Sequence, residues 1–215
     1  MNPAERRYNV ASLALVLLVA TVAGCVALLQ PVTALDRWIL DAQFSFARTT
    51  PATPVGGGPE VVVVGIDAKT AAAIPEPMTL WHARLGRFLE GMREAQPALV
   101  AIDVVLPERS YEAVLPGADA ALVRGLILSR SAYPTVLAQT VDEAGQRRVI
   151  HPAFVSAAGV EPGYALWQVD PDGVIRRFDE RLGQGGETVA TLAGQVARTL
   201  GKQPRPGYID YARLA

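Results

Sequence analysis

The chain has a single cysteine, Cys25, in 215 residues. It lies inside an apolar run, so the water-soluble body downstream can form no internal disulfide, carries no thiol nucleophile and cannot build a cysteine metal cluster. The stability of that body must come from packing. Histidine is nearly as scarce. His82 and His151 are the only two, far apart and without the H-E-x-x-H spacing of a zinc site, so no metal and no cofactor is expected. An excess of positive charge is also missing. Twenty Lys and Arg face 21 Asp and Glu for a net charge of −1, and the signs are interspersed, which leaves no basic field to hold nucleic acid. Catalytic signatures are absent as well: there is no G-x-S-x-G elbow, no G-x-x-x-x-G-K-[ST] loop and no G-x-G-x-x-G fingerprint. Internal repeats and low-complexity tracts are lacking too.

What is present is an uncharged run from Tyr8 to Leu35, preceded by Arg6 and Arg7. At about 1.5 Å of rise per residue, Val10 to Leu29 spans roughly 30 Å as a helix, the hydrocarbon thickness of a bilayer. The membrane is therefore the first expected partner. Arg6 and Arg7 keep the short N-terminus in the cytoplasm by the positive-inside rule and place the rest in the periplasm or outside the cell. A cleaved secretory signal, or a lipoprotein signal ending at Val22-Ala23-Gly24-Cys25, shares the basic start and apolar middle. The run continues through Val26-Ala27-Leu28-Leu29, however, beyond the roughly 7–15 apolar residues of a signal peptide. The expected organisation is a cytoplasmic N-terminus over 1–9, a transmembrane helix over 10–30, a juxtamembrane helix and linker over 31–59, and one extracytoplasmic domain over 60–215. The location is the inner, or cell, membrane.

Leu35 to Arg48 places Leu35, Trp38, Leu40 and Phe44 or Phe46 at near-helical spacing. Thr49 to Pro59 is rich in proline and glycine and reads as a linker. Val61 to Asp67 and Leu99 to Leu106 are continuous apolar runs of the kind that form parallel strands covered on both faces. Between them Leu80 to Ala95 is amphipathic, so strand, helix and strand predict a right-handed crossover. Gly117 to Arg130 predicts a second helix and Thr135 to Gln139 a third strand. Tyr164 to Val169 and Val174 to Phe178 flank Asp170-Pro171-Asp172-Gly173, which predicts a hairpin. Glu187 to Leu200 predicts a last helix, closed by Gly201 and preceded by a glycine-rich turn at Gly183 to Gly186. The fold class is α/β: a transmembrane helix followed by a mixed, mostly parallel sheet with flanking helices and an added β-hairpin.

Asp67 and Asp103 each end an apolar strand, and ligands of open α/β sheets sit outside the carboxyl ends of strands. As neighbours they could hold a cation. The competing structural reading is that each caps a loop or helix through backbone N–H groups. Trp81, His82 and Arg84 open the first body helix, where they could supply a stacking surface and an anion contact. Structurally, Trp81 would anchor the helix to the core and Arg84 would pair with an acid such as Asp67 or Asp103. Arg176 and Arg177, after the Asp-Pro-Asp-Gly turn, could read an acidic ligand, but on a hairpin such residues more often form solvated cross-strand pairs.

Taken in order, these segments resemble the second type of CHASE domain, the extracellular sensor attached to bacterial adenylate cyclases, diguanylate cyclases and histidine kinases. The resemblance runs from the membrane helix through Leu35-Asp36-Arg37, Val61 to Asp67, Trp81 to Arg84 and Val100 to Asp103. It is most specific at Asp170-Pro171-Asp172-Gly173-Val174-Ile175-Arg176-Arg177, which follows Tyr164 and Trp167. Two features depart from the pattern. The W-P-W-P-R entry to the first helix is reduced to Met78 to Arg84, and Ala68 stands where a second acid normally follows Asp67. The resemblance implies a sensor with no catalytic residue in this region, an unknown extracytoplasmic ligand near Asp67, Trp81, Arg84 and Asp103, a homodimer by analogy with membrane receptors, and a cyclase or kinase output beyond an N-terminal fragment. The alternative is an anchored metal-dependent hydrolase using Asp67 and Asp103.

Overall fold

The computed structural model describes residues 3–27, 30–49, 61–184 and 187–209, and the chain divides into an N-terminal unit and a body spanning Val61–Ile209. The N-terminal unit holds helix α1 (Pro3–Ala27) and helix α2 (Gln30–Thr49). Side chains of α1 are described for residues 12–26, and the apolar ones among them are exposed, Leu13 through Val19 at about 60% each. Among the described residues no helix is long and apolar enough to cross a membrane. Helix α2 is longer than the Leu35 to Arg48 segment expected. It carries an exposed stripe of Leu35, Trp38, Ile39 and Phe46, at spacings of three, four and seven residues that share one helical face. The linker predicted at Thr49 to Pro59 lies, but for Thr49, outside the described residues.

The body begins with an irregular segment, Val61 to Asp67, where the sequence predicts a strand. Its first four valines are 65–84% exposed. Strand preference is a fit to a pleated, packed surface rather than a property of the backbone alone, and among the described residues no strand pairs with this segment. Asp67 caps helix α3 (Ala68–Ala73) by accepting from the Thr70 amide at 2.7 Å. A 3-10 turn at Met78–Leu80 leads into helix α4 (His82–Ala95). That helix stops at Gln96, whose φ of 47° leaves the helical region, and Pro97 follows it.

Strand β1 (Val100–Ile102) is shorter than the predicted Leu99 to Leu106; the chain turns away before Pro107, which has no N–H to give a ladder. Helix α5 (Ala118–Ser129) and strand β2 (Thr135–Val141) match the sequence reading closely. Strand β3 (Arg147–Arg148), helix α6 (Pro152–Ala158) and strand β4 (Gly163–Tyr164) follow. β2 is the axis of the main sheet. Thr135 to Leu137 pair in parallel with β1, Ala138 and Gln139 in parallel with β4, and Thr140 and Val141 antiparallel with β3. The crossover units are therefore β1-α5-β2 and β2-α6-β4, one step downstream of the predicted one.

The last third departs further from expectation. The Asp170 to Val174 turn forms, with Asp170 N donating to Val174 O at 2.9 Å, yet its two arms do not pair with each other. Instead strand β5 (Arg177–Phe178) pairs with β8 (Gly207–Tyr208), and the hairpin is β6 (Arg181–Gln184) with β7 (Glu187–Ala190). The glycine-rich turn at Gly183 to Gly186 lies partly outside the described residues. Glu187 to Ala190, expected as helix, is strand. The β-branched Thr188 and Val189 favour it, and helix α7 (Leu192–Thr199) begins after Thr191, whose hydroxyl accepts from the Gly194 amide at 3.0 Å.

The core gathers Leu89, Leu122, Leu126, Leu137 and Phe154, all fully buried, around Val100 and Ile102. Burial of each large side chain contributes about 1.5–3 kcal/mol. α4 and α5 cross at Gly86 and Gly125, where a Cβ on Gly125 would stand 2.5 Å from Gly86 O and 2.7 Å from its Cα. Only glycine permits that approach. Tyr133 locks the same layer by donating its hydroxyl to Leu89 O at 2.6 Å.

Candidate functional site

α4 runs back along the sheet into β1, so its first residues lie where β1 ends and the long connection to α5 begins. This is the carboxyl end of the parallel strands, where open α/β sheets place ligands. Trp81 is buried and donates its indole N–H to Glu76 O at 2.8 Å. Arg84 grips the Glu76 carboxylate at 2.8 and 3.1 Å. The Glu76 backbone N–H and the Arg84 guanidinium hold that carboxyl below its ordinary pKa. Trp81 and Arg84 are thus brought together through Glu76, which takes the place expected of Asp67 or Asp103.

Asp67 uses Oδ1 on both the amide and the hydroxyl of Thr70, each at 2.7 Å, and the amide first, then the hydroxyl, depress its pKa. Asp103 is exposed just past β1. No hydrogen bond or ion pair connects Asp67 or Asp103 to the Trp81–Glu76–Arg84 group among the described residues. No group of three or more His, Cys, Asp or Glu among those residues could hold a metal ion.

The densest polar cluster lies one residue beyond Trp81. His82 is 1% exposed, and its Nδ1 donates to Asp119 Oδ1 at 2.6 Å. The second oxygen of Asp119 accepts from the Ser110 hydroxyl at 2.6 Å and the Tyr111 amide at 3.0 Å. Burial pushes the Asp119 pKa up, and the hydrogen bonds from Ser110, His82 and the Tyr111 amide outweigh it, so the carboxyl stays below its usual range. Glu112 accepts from the Gly117 and Asp119 amides and so caps α5. His82 Nε2 is buried with no hydrogen-bond partner. The imidazole is edge-on to Phe154, with ring centres 5.1 Å apart, and tilted against Tyr111 at 6.0 Å. His151, the other histidine, caps α6 by accepting from the Ala153 amide at 3.1 Å.

Ser110, Asp119 and His82 are the residue types of a hydrolytic triad in the wrong order. The serine donates to the carboxylate, and the imidazole does not reach it, so nothing prepares the hydroxyl as a nucleophile. The cluster instead ties the start of α4, the 103–117 connection and the start of α5 into one polar knot. Nothing in the local sequence pairs His82 with Asp119, 37 residues away; the one signal was an acid in the first turn of a predicted helix. On the outer side of the same helices an open cleft of about 450 Å³ is lined by Ala83, Arg87, Glu90, Gly117, Ala121 and Arg124, among others.

A second constellation lies in the Asp170 to Arg177 stretch. Arg176 is 3% exposed and its Nη1 donates to Asp170 Oδ2 at 3.0 Å and Asp172 Oδ1 at 2.9 Å. The sequence reading made it a solvated cross-strand residue. It is instead a buried clasp that holds the turn, with Gly173 at φ 82°. Arg177 lies over the Tyr208 ring at 5.5 Å.

A comparison with curated proteins and one with solved structures each return no match. The family model of the CHASE2 domain matches residues 13–211, from within α1 to the end of the body and through the buried Asp170–Arg176 clasp. CHASE2 domains are sensor domains of signalling proteins rather than catalytic ones, and with that match covering most of its length, the chain belongs to the CHASE2 domain family.

Proposed function

We propose that this chain is the extracytoplasmic sensor module of a membrane-bound signal-transduction protein, and that it regulates a cyclase or kinase output domain carried elsewhere in the same protein. The observation that carries the reading is the CHASE2 match over residues 13–211. In this reading residues 10–30, a run that extends past the end of α1, form the membrane anchor. Val10 to Leu29 supplies the roughly 20 apolar residues a span requires, and Arg6 and Arg7 hold the N-terminus in the cytoplasm. The exposed stripe Leu35, Trp38, Ile39 and Phe46 on α2 meets the same helix of a second copy in a homodimer.

The ligand contacts in this reading are Asp67, Trp81, Arg84 and Asp103; Asp67, Arg84 and Asp103 are exposed and offer polar groups, and buried Trp81 fixes the start of α4. To signal, the ligand must favour one arrangement of the module over the other; equal affinity for both would shift nothing. The test is the intact mass of the native protein extracted from its membranes, with nucleotide cyclisation and autophosphorylation assayed on the same sample. A species much heavier than 22.9 kDa with either activity supports the reading. A 22.9 kDa protein with neither removes the output domain and with it the regulatory role.

A further inference from the structure

The run Val61-Val62-Val63-Val64-Gly65-Ile66 is the feature the fold leaves unused. It carries no charge, and its five apolar side chains are 82, 75, 84, 65 and 40% exposed. Uncharged β-branched segments of this length are the ones that seek an open strand. One open strand is at hand in the body. β1 is paired with β2 alone, and among the described residues no strand lies along its other edge. Such an edge presents N–H and C=O groups ready to pair.

Connectivity points to the same partner. The chain from Ile66 to Val100 contains α3 and α4, the dozen or more residues with a helix that a parallel crossover needs. α4 already covers the correct face, with Leu89 packed in one cluster with Val100 and Ile102. The segment is also tethered to β1 within one chain, which gives it an advantage in effective concentration over any second copy.

We propose that Val61–Ile66 is a switchable edge strand, which docks in parallel along β1 in one state of the sensor and is released, as seen here, in the other. The proposal rests on the sensor reading for its purpose only. With the segment released, the body's first anchored residue is Asp67, the cap of α3. With it docked, the first anchored residue is Val61. Six residues, about 20 Å at strand rise, thereby pass from free chain into the sheet. A ligand that favours one state thus sets whether the fixed part of the body begins at Val61 or at Asp67.

The experiment uses the full chain in membranes with Cys25→Ser as background, which removes the only native thiol. Cysteines at 61, 62, 63 and 64 are each combined with Ala101→Cys, the exposed centre of β1, and oxidised mildly. Neighbouring strands are about 4.8 Å apart, within disulfide reach, and successive side chains alternate between faces. The expected result is an intramolecular disulfide whose yield alternates from position to position. Absence of a disulfide at all four positions, equal yield at all four, or disulfides only between two copies overturns docking in the same chain. A failure of the sensor reading is distinguishable, because it appears as missing output activity in the intact protein and leaves the pattern on the gel unchanged.

Discussion

Removing the carboxylate of Asp119 tests whether the polar knot at the start of α4 and α5 holds the body together. In Asp119→Ala three hydrogen bonds disappear, from His82 at 2.6 Å, Ser110 at 2.6 Å and the Tyr111 amide at 3.0 Å. Bonds to a charged group are worth about 1.5–3 kcal/mol each. Ser110 is exposed and Tyr111 half-buried, so water takes over part of their loss. His82, at 1% exposure and with Nε2 already unpartnered, has no such replacement. The expected destabilisation is therefore about 3–5 kcal/mol, as for breaking a buried pair, and the unfolding midpoint falls by about 6–20 °C at the 2–4 °C per kcal/mol of a body this size. Trp81 reports it directly: it is 5% exposed and adjacent to His82, whereas Trp38 and Trp167 are 67% and 50% exposed. Its fluorescence, followed through urea unfolding of the full chain in detergent, gives the free energy. Asp119→Asn keeps an oxygen for His82 and is expected to lose only about 1–2 kcal/mol. The same pair fixes a pH dependence. Asp119 sits below its ordinary pKa when folded, so the unfolded chain binds more protons in acid. Its contribution is complete above about pH 4 and drains away as pH falls through the folded value. Asp119→Asn flattens that acid limb. A loss below about 1 kcal/mol in Asp119→Ala, or an unchanged acid limb in Asp119→Asn, refutes the reasoning.

Three further outcomes are expected. Gly125→Ala places a Cβ 2.5 Å from Gly86 O, so α4 and α5 must part; urea unfolding should show a loss of about 1–3 kcal/mol or more, and a neutral result would mean the crossing is looser than its geometry. Tyr133→Phe removes the bond to Leu89 O and is expected to cost about 1–1.5 kcal/mol, with the alkaline limb of stability altered as well. Burial raises the Tyr133 pKa, so the wild-type protein loses stability as pH rises above about 10, where the unfolded tyrosine ionises first. Cys25, the sole thiol, should resist a membrane-impermeant maleimide in native membranes and react once the protein is denatured in detergent; reaction in intact membranes would place residue 25 outside the bilayer.

How much of this was legible in the sequence differs by the range of the forces involved. α4, α5 and β2 were read nearly to the residue, because each is set by local periodicity and a local stop, such as Pro97 after α4. The Arg84 ion pair was foreseen as structural, although the partner is Glu76, eight residues back, rather than either strand-end aspartate. Strand runs were the weak point. Val61 to Ile66 has a stronger β signature than Val100 to Ile102, yet the latter is the strand, because a strand exists only where another chain segment completes its hydrogen bonds, and no local pattern records that. The pairing of β5 with β8 and the split of Glu187 to Leu200 into β7 and α7 have the same origin. His82 with Asp119 was invisible for a related reason: the contact depends on the close approach of two helices.

That approach links the glycine crossing to the polar knot. Gly86 follows His82 by one helical turn and Gly125 lies six residues beyond Asp119, so the crossing that brings the helix backbones together also sets the spacing between imidazole and carboxylate. At 2.6 Å the His82–Asp119 bond has little room to lengthen before it weakens. The two observations therefore predict coupling. Gly125→Ala, by spreading α4 from α5, should already have weakened the His82 bond, so that adding Asp119→Ala to it costs less than adding it to the native protein. A double-mutant cycle measures the difference directly, and neighbours of this kind are expected to couple by about 0.5–3 kcal/mol. Strict additivity would show that the helix crossing and the buried pair are independent, and that the corner can be displaced without moving the helices behind it.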